Sequence, residues 1–213
     1  VLELLAGLLT NLLRRQKMNS VFQWMFSPEN NKTLILMRGV PSSGKSYRAK
    51  ELSLGDDSII FSADHYFGKT PEEYVANWSI DKLSTAHKEC QKNVRMLMQR
   101  QLPLAIVDNT NTMVRELMPY FEMAVQYQYK VRIEEPTSPW WVNDIAPYLG
   151  DKEGNRKQLE KMCKLLWEKN KATHCVPLAS IEKMLFRYHA NVTVEQLSTI
   201  YARNAGIPKD ENV

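Results

Sequence analysis

Short apolar runs alternate along the middle of the chain with longer stretches in which apolar residues recur every three or four positions. The runs cover 33–38, 58–62, 104–108 and 130–134. Each is largely apolar and too short for a helix, which suits strands buried in a parallel sheet. The stretches between them predict helices. Residues 79–101 set Ile80, Leu83, Cys90, Val94 and Leu97 on one side, and 112–128 gather Met113, Leu117, Tyr120, Phe121, Ala124 and Val125. Pro177 opens a further helix through 180–188. Thr193 and Gln196 have capping-box spacing for a last helix that stops near Gly206 and Pro208. Strand–helix alternation of this kind predicts an α/β fold with a doubly wound parallel sheet.

Two segments break the rhythm. Residues 137–172 hold Pro139, Pro147, Gly150 and Gly154, followed by a basic helix over 155–171. At the other end, Leu2, Leu5, Leu8, Leu9, Leu12 and Leu13 share one helical face ahead of Arg14, Arg15 and Lys17. That stretch reads equally as a partner-docking helix, a membrane-surface helix, a targeting remnant or a helix packed on the domain. Val1 is not an initiator, and Met18 is a candidate start. The expected organisation is an amphipathic extension over 1–30, one domain over 31–205 and a polar tail over 206–213, as of a chain cut from a longer protein.

The anion-binding signature lies where the first run ends. Gly39, Val40, Pro41, Ser42, Ser43, Gly44, Lys45 and Ser46 spell GxxxxGKS, with Tyr47 following. A strand that ends in this sequence wraps a phosphate with backbone N–H groups, and the next helix turns its positive end to the same anion. Lys45 is placed to reach the β- and γ-phosphates, and the Ser46 hydroxyl to ligate Mg²⁺. ATP and Mg²⁺ are therefore the expected cofactors.

In open α/β sheets, ligands bind beyond the carboxyl ends of the strands. The second run ends at Asp64, a candidate general base for an attacking hydroxyl or, alternatively, a helix cap. His65 beside it reads as a surface or packing residue. The third run ends at Asp108, Asn109, Thr110 and Asn111. Asp108 is placed to hold Mg²⁺, unless these four residues only build a turn and cap the next helix. Trp140 and Trp141 form either a stacking platform for a base or an anchor for their loop.

Composition narrows this picture little. The 213 residues can hold one domain with a sizeable core, and a hydrophobic content of 44% fits a globular protein. A net charge of +4 permits an anionic substrate without demanding one. Cys90, Cys163 and Cys175 lack C-x-x-C spacing, which argues against a disulfide framework or zinc site and for a reducing compartment. The expected location is cytoplasmic or nuclear, or mitochondrial if the leucine-rich stretch is a targeting remnant. No run has the ~18 apolar residues of a membrane span. A G-x-S-x-G elbow is absent, and so is the H-x-[ST] signature of two-histidine phosphodiesterases.

Four motifs occur in fixed order: Arg38-Gly39 through Ser46; Ser62, Asp64 and Tyr66-Phe67; Asp108 with Thr110-Asn111; and Glu135-Pro136 followed by Trp140. In this the chain resembles the polynucleotide-kinase-like P-loop proteins. It is most similar to the AAA-domain branch that includes Nedd-four-binding protein two, and to the kinase-like half of myelin cyclic-nucleotide phosphodiesterase. The resemblance covers roughly 33–141 and 172–197. It implies a P-loop kinase-like sheet of about five strands with a helical lid over 137–172. It further implies phosphoryl transfer from a nucleoside triphosphate to the 5′-hydroxyl of RNA or DNA. Asp64 falls on the family's general base, and Asp108 to Asn111 fall near its acceptor. Ser42 stands where the family usually has glycine, and Phe67 where phage-type kinases carry an acceptor-phosphate arginine. Arg156, with Lys169 as substitute, is the expected lid cation. The alternatives are a small-molecule P-loop kinase and a non-catalytic, nucleotide-gated module that engages a protein partner or membrane surface through the leucine-rich stretch.

Overall fold

The computed structural model describes residues 22–68, 70–171 and 174–206. The leucine-rich stretch, the expected start at Met18 and all of the polar tail beyond Gly206 lie outside them. Four parallel strands form the sheet: β1 (Thr33–Met37), β2 (Ile60–Phe61), β3 (Leu104–Val107) and β4 (Lys130–Glu134), in the order β2-β3-β1-β4. The register pairs Leu36 with Val107 on one side and with Ile133 on the other. β1, which carries the GxxxxGKS turn, is therefore an interior strand. Its run Leu34–Met37 is buried, as the unbroken apolar pattern requires.

The helices are α1 (Gln23–Phe26), α2 (Lys45–Ser53), α3 (Pro71–Asn77), α4 (Leu83–Gln99), α5 (Val114–Tyr127), α6 (Pro139–Asp144), α7 (Arg156–Asn170), α8 (Leu178–Phe186) and α9 (Val194–Asn204). Their ends follow local chemistry. Thr70 and Glu73 exchange hydrogen bonds to cap α3. Pro177 is the N-cap of α8, and the Thr193 hydroxyl accepts from the Gln196 N–H at 3.2 Å to start α9.

Two expectations change. The sheet has four strands among the described residues, not about five, because the described chain after β4 supplies only helices, turns and loops. The run 58–62 contracts to the two residues of β2. The Asp56 carboxylate accepts from the Ser58 N–H at 3.0 Å and winds Asp57–Ile59 into a 3₁₀ turn instead.

Two apolar clusters matter for the site. One fills the space between the sheet and α4, α5 and α9, and includes Leu34, Leu36, Val94, Phe121 and Leu197. The other is the core of the lid: Trp141, Ile145, Leu159, Leu166, Ile181 and Leu185 pack together there, and Val40 of the GxxxxGKS turn is buried among them. The buried Arg38 braces the junction. Its guanidinium donates to the carbonyls of Asn111 (3.0 Å) and His189 (2.6 Å), pairs with Glu135 at 3.3 Å and lies 4.4 Å from the Tyr188 ring centroid. The end of β1, the loop after β3 and the end of α8 are thus held by one side chain.

Candidate active site

The turn after β1 needs its glycines. Gly39 has φ +153° and Gly44 φ +94°, in the region that favours glycine. A Cβ on Gly39 would meet Ser43 Oγ at 2.6 Å and Pro136 Cγ at 2.9 Å; on Gly44 it would meet Ser138 Cβ at 3.0 Å. Ser42 adopts φ +59° without being glycine, which explains why glycine suits this position and costs about 1 kcal/mol. No side chain caps the first turn of α2, whose N-cap is Gly44. Its leading N–H groups are left for an anion. The Ser43 hydroxyl is buried without a hydrogen-bond partner, a cost that an incoming phosphate oxygen would relieve.

The segment after β4 clamps this turn. Ser138 Oγ donates to the Ser43 carbonyl at 2.6 Å, and Trp140 Nε1 to the Ser42 carbonyl at 3.1 Å. Trp141 is buried and donates to Glu135 at 3.2 Å. Both indoles act as anchors. From the far end of α7, Asn170 Nδ2 donates to Ser42 Oγ at 3.3 Å. Lys169 Nζ lies 4.3 Å from the Trp140 ring centroid. Tyr47, by contrast, is 69% exposed.

Lys45 Nζ is 3.0 Å from Asp108 Oδ1, and both side chains are largely buried. Burial pushes the Asp108 carboxyl up, but the Lys45 charge and hydrogen bonds from Ser46 and Lys45 outweigh it and hold it below the usual carboxylate range. Asp108 Oδ1 is buried with no aligned hydrogen bond. An oxygen of this kind beside the Ser46 hydroxyl is a fitting donor set for a hard divalent cation. The backbone N–H of Asp108 donates to the Phe61 carbonyl at 2.8 Å, so the ends of β2 and β3 are level.

Asp64 lies three residues beyond Phe61, in the 3₁₀ turn Ala63–Tyr66. Ser62 caps that turn by accepting from the Asp64 N–H at 3.2 Å, so the Asp64 carboxylate is not the cap. The Tyr74 phenol lies close enough to feel its charge. Burial first, then the charge of Asp64, push the Tyr74 phenol well up, and it stays protonated. The Tyr74 ring meets the edges of Phe67 (5.5 Å) and His174 (4.7 Å). His65 is exposed and lies within electrostatic reach of Asp108.

The other expected residues have internal partners. Asn109 accepts from the Ala63 N–H at 2.9 Å and donates to Tyr120 Oη at 3.1 Å, which ties the Asp64 turn to α5. Asn111 (φ +44°) donates to the Met37 carbonyl at 2.8 Å, and the Thr110 carbonyl accepts from Gly39 at 3.0 Å. Helix α5 is capped by Glu116, which accepts from the Met113 N–H at 3.2 Å, and not by this tetrad. Arg156 pairs with Glu153 (3.1 Å) and Glu160 (3.5 Å) and lies over Phe186 at 4.8 Å. None of these partners belongs to the P-loop. Phe67 is buried, and its apolar ring carries no charge for an acceptor phosphate. Sequence reasoning gave no role to Tyr74 or Asn170, nor to Arg38, although Arg38 opens the first motif. A charged residue closing a buried strand was the available signal for Arg38; the other two contacts are long-range and left none.

A family model of the AAA domain matches residues 34–143, which is 110 of the 213 residues. The chain belongs to the AAA domain family. It carries a nucleotide-binding, P-loop kinase-like domain. It is 33% identical over 112 residues to NEDD4-binding protein 2 from Homo sapiens, covering 51% of this chain and 6% of that protein. Over 130 residues it is 34% identical to 2′,3′-cyclic-nucleotide 3′-phosphodiesterase from Mus musculus and 32% identical to the Rattus norvegicus protein, covering 60% of this chain and 28% of each. The match thus spans less than a third of each of these relatives. Both branches named by the sequence resemblance are represented. Among the described residues no helix is long and apolar enough to cross a membrane.

Proposed function

We propose that the domain transfers the γ-phosphoryl of ATP, with Mg²⁺, to the 5′-hydroxyl of RNA or DNA. One observation carries the reading. Two carboxylates lie just beyond the level ends of neighbouring strands with different partners: Asp108 is paired with Lys45, while Asp64 has no ion-pair partner among the described residues and faces the neutral Tyr74 phenol. The first suits charge neutralisation on a triphosphate, and the second suits accepting a hydroxyl proton.

In this reading the P-loop N–H groups and Lys45 hold the β- and γ-phosphates. Ser46 and Asp108 would hold Mg²⁺, which supplies charge compensation when bound. Asp64 takes the proton of the attacking hydroxyl. Lys169, the lid cation whose contacts lead to the P-loop through Trp140, meets charge on the transferring group.

The buried Phe67 supports a second reading, a small-molecule acceptor, since no arginine stands there for an acceptor phosphate. Labelled ATP with 5′-hydroxyl RNA and DNA oligonucleotides separates the two. Label on the oligonucleotide, lost about 10²–10⁴-fold in Asp64→Asn, supports the polynucleotide reading. ATP consumed only with a metabolite supports the second, and tight ATP binding without transfer to anything overturns both.

A further inference from the structure

The lid helix α7 ends at Asn170, which is fully buried and bonds in two directions. Its Nδ2 donates to Ser42 Oγ of the P-loop at 3.3 Å. Its carbonyl accepts from the N–H groups of His174 and Cys175 at 3.2 Å each, and its Oδ1 accepts from the Val176 N–H. This one residue ties the P-loop to the backbone that carries His174.

His174 lands on the far side of the site. Its ring meets Tyr74 edge-on, centroids 4.7 Å apart and planes at 68°. In the strand order β2-β3-β1-β4, Ser42 follows β1 and Asp64 follows β2, with β3 and its Asp108 between them. Asn170 and His174 are four positions apart, yet one touches the P-loop and the other the neighbour of Asp64. Tyr74 is the residue that seats α3: it is buried, while Glu72, Glu73, Val75, Ala76 and Asn77 are all exposed. Two rings hold it, Phe67 at 5.5 Å from the end of the Asp64 turn and His174 from beyond the lid. His174 is itself exposed and forms the outer cover.

We propose that His174 is a positioning residue for phosphoryl transfer: its ring holds Tyr74 beside Asp64, and Asn170 sets that ring in register with the P-loop. The inference rests on the reading of Asp64 as general base above. His174 acts through packing, not through proton transfer or charge. A phenylalanine can therefore replace it, and a glutamine, which keeps polarity but lacks the ring, cannot. Its effect falls on the step that uses Asp64 and not on ATP binding, because its ring contact is on the Asp64 side and the P-loop keeps its own bond to Asn170 without it.

The test uses the full chain, labelled ATP and a 5′-hydroxyl oligonucleotide, with ATP dissociation constants from equilibrium titration. His174→Ala and His174→Gln should lower kcat about five- to tenfold, the size of one aromatic pair, with ATP affinity within about twofold of wild type. His174→Phe should restore kcat to within about twofold of wild type. In a Tyr74→Ala background, His174→Ala should cost nothing further, since the two residues act as one unit. Should an alanine variant fail to fold, the comparison of Phe with Gln at position 174 decides alone. Activity kept by Gln and lost in Phe overturns the proposal, because the imidazole's polarity is then what matters. So does an equal loss in the Tyr74→Ala background, or a fall in ATP affinity that matches the fall in kcat. In each of these cases the wild type still transfers label, and only the role of His174 fails. If the wild type transfers label to no acceptor, the reading of Asp64 fails and this role falls with it.

Discussion

Tyr74 packs edge-on against His174, ring centroids 4.7 Å apart, while its phenol lies within electrostatic reach of the Asp64 carboxylate. The residue beside the proposed base therefore also touches the chain just past the lid helix. Tyr74→Phe keeps the ring contacts and removes the hydroxyl. We expect kcat to fall about tenfold, in line with the loss of one polar contact to a charged group, while the dissociation constant for ATP stays within about twofold. Equal loss of ATP affinity would show that Tyr74 only supports the fold.

The Lys45–Asp108 pair makes a pH-dependent stability signature. In the wild type the Asp108 carboxyl is held low, so its contribution is present above the unfolded carboxylate value and is lost as pH falls through the depressed folded value. Lys45→Met removes the strongest force opposing burial. Burial then drives the carboxyl up, and the sign reverses: the variant loses stability as pH rises through the raised folded value. It should be about 3–5 kcal/mol less stable than wild type near pH 8, with the gap narrowing toward pH 5. Urea unfolding of both proteins at pH 5, 6.5 and 8 measures this. A gap independent of pH would show that Asp108 does not depend on Lys45.

Ser42→Gly relieves the φ of +59° but deletes the hydroxyl that receives Asn170. The two effects oppose each other at about 1 kcal/mol each, so the melting temperature should move by only a few degrees. What should change is the grip of α7 on the P-loop. Amide exchange at the C-terminal end of α7 should speed up in Ser42→Gly and in Asn170→Ala alike. Unchanged exchange in both would show the contact to be idle.

Arg156 and Lys169 give a paired comparison. Lys169→Ala should depress turnover more than ATP affinity, by about 10²-fold for a cation acting on developing charge. Arg156→Ala exchanges surface partners and should change stability by under ~1 kcal/mol with little effect on turnover. Steady-state kinetics and ATP titration of both variants decide between them. The reverse order would return the lid role to Arg156.

These two lid residues also mark where sequence reading stops. They are thirteen positions apart on one helix, about 20 Å along it and some 220° around it. Both cannot face the same target, yet nothing local tells which end of α7 docks. The P-loop, Asp64 and Asp108 were legible because each lies where an apolar run ends, and the sheet geometry puts all such ends along one edge. The helices α5, α8 and α9 were legible from periodicity and caps. The asparagines at 109 and 111 were readable as belonging near the site but not as its rivets, because their partners Ala63, Tyr120 and Met37 come from other elements. Asp56 unwound the expected second strand through a bond two residues long, a local competition that the apolar count over 58–62 does not register.

Val40 belongs to the phosphate-binding turn by sequence but to the lid by packing, buried with Trp141, Ile145 and Leu159. This bears on how such domains can be recombined. A chimaera that imports the GxxxxGKS turn of another kinase without its lid brings a foreign side chain into a closed interior it was never shaped for. Turn and lid are in that sense a single heritable module, and grafts should succeed when position 40 travels with 141, 145 and 159.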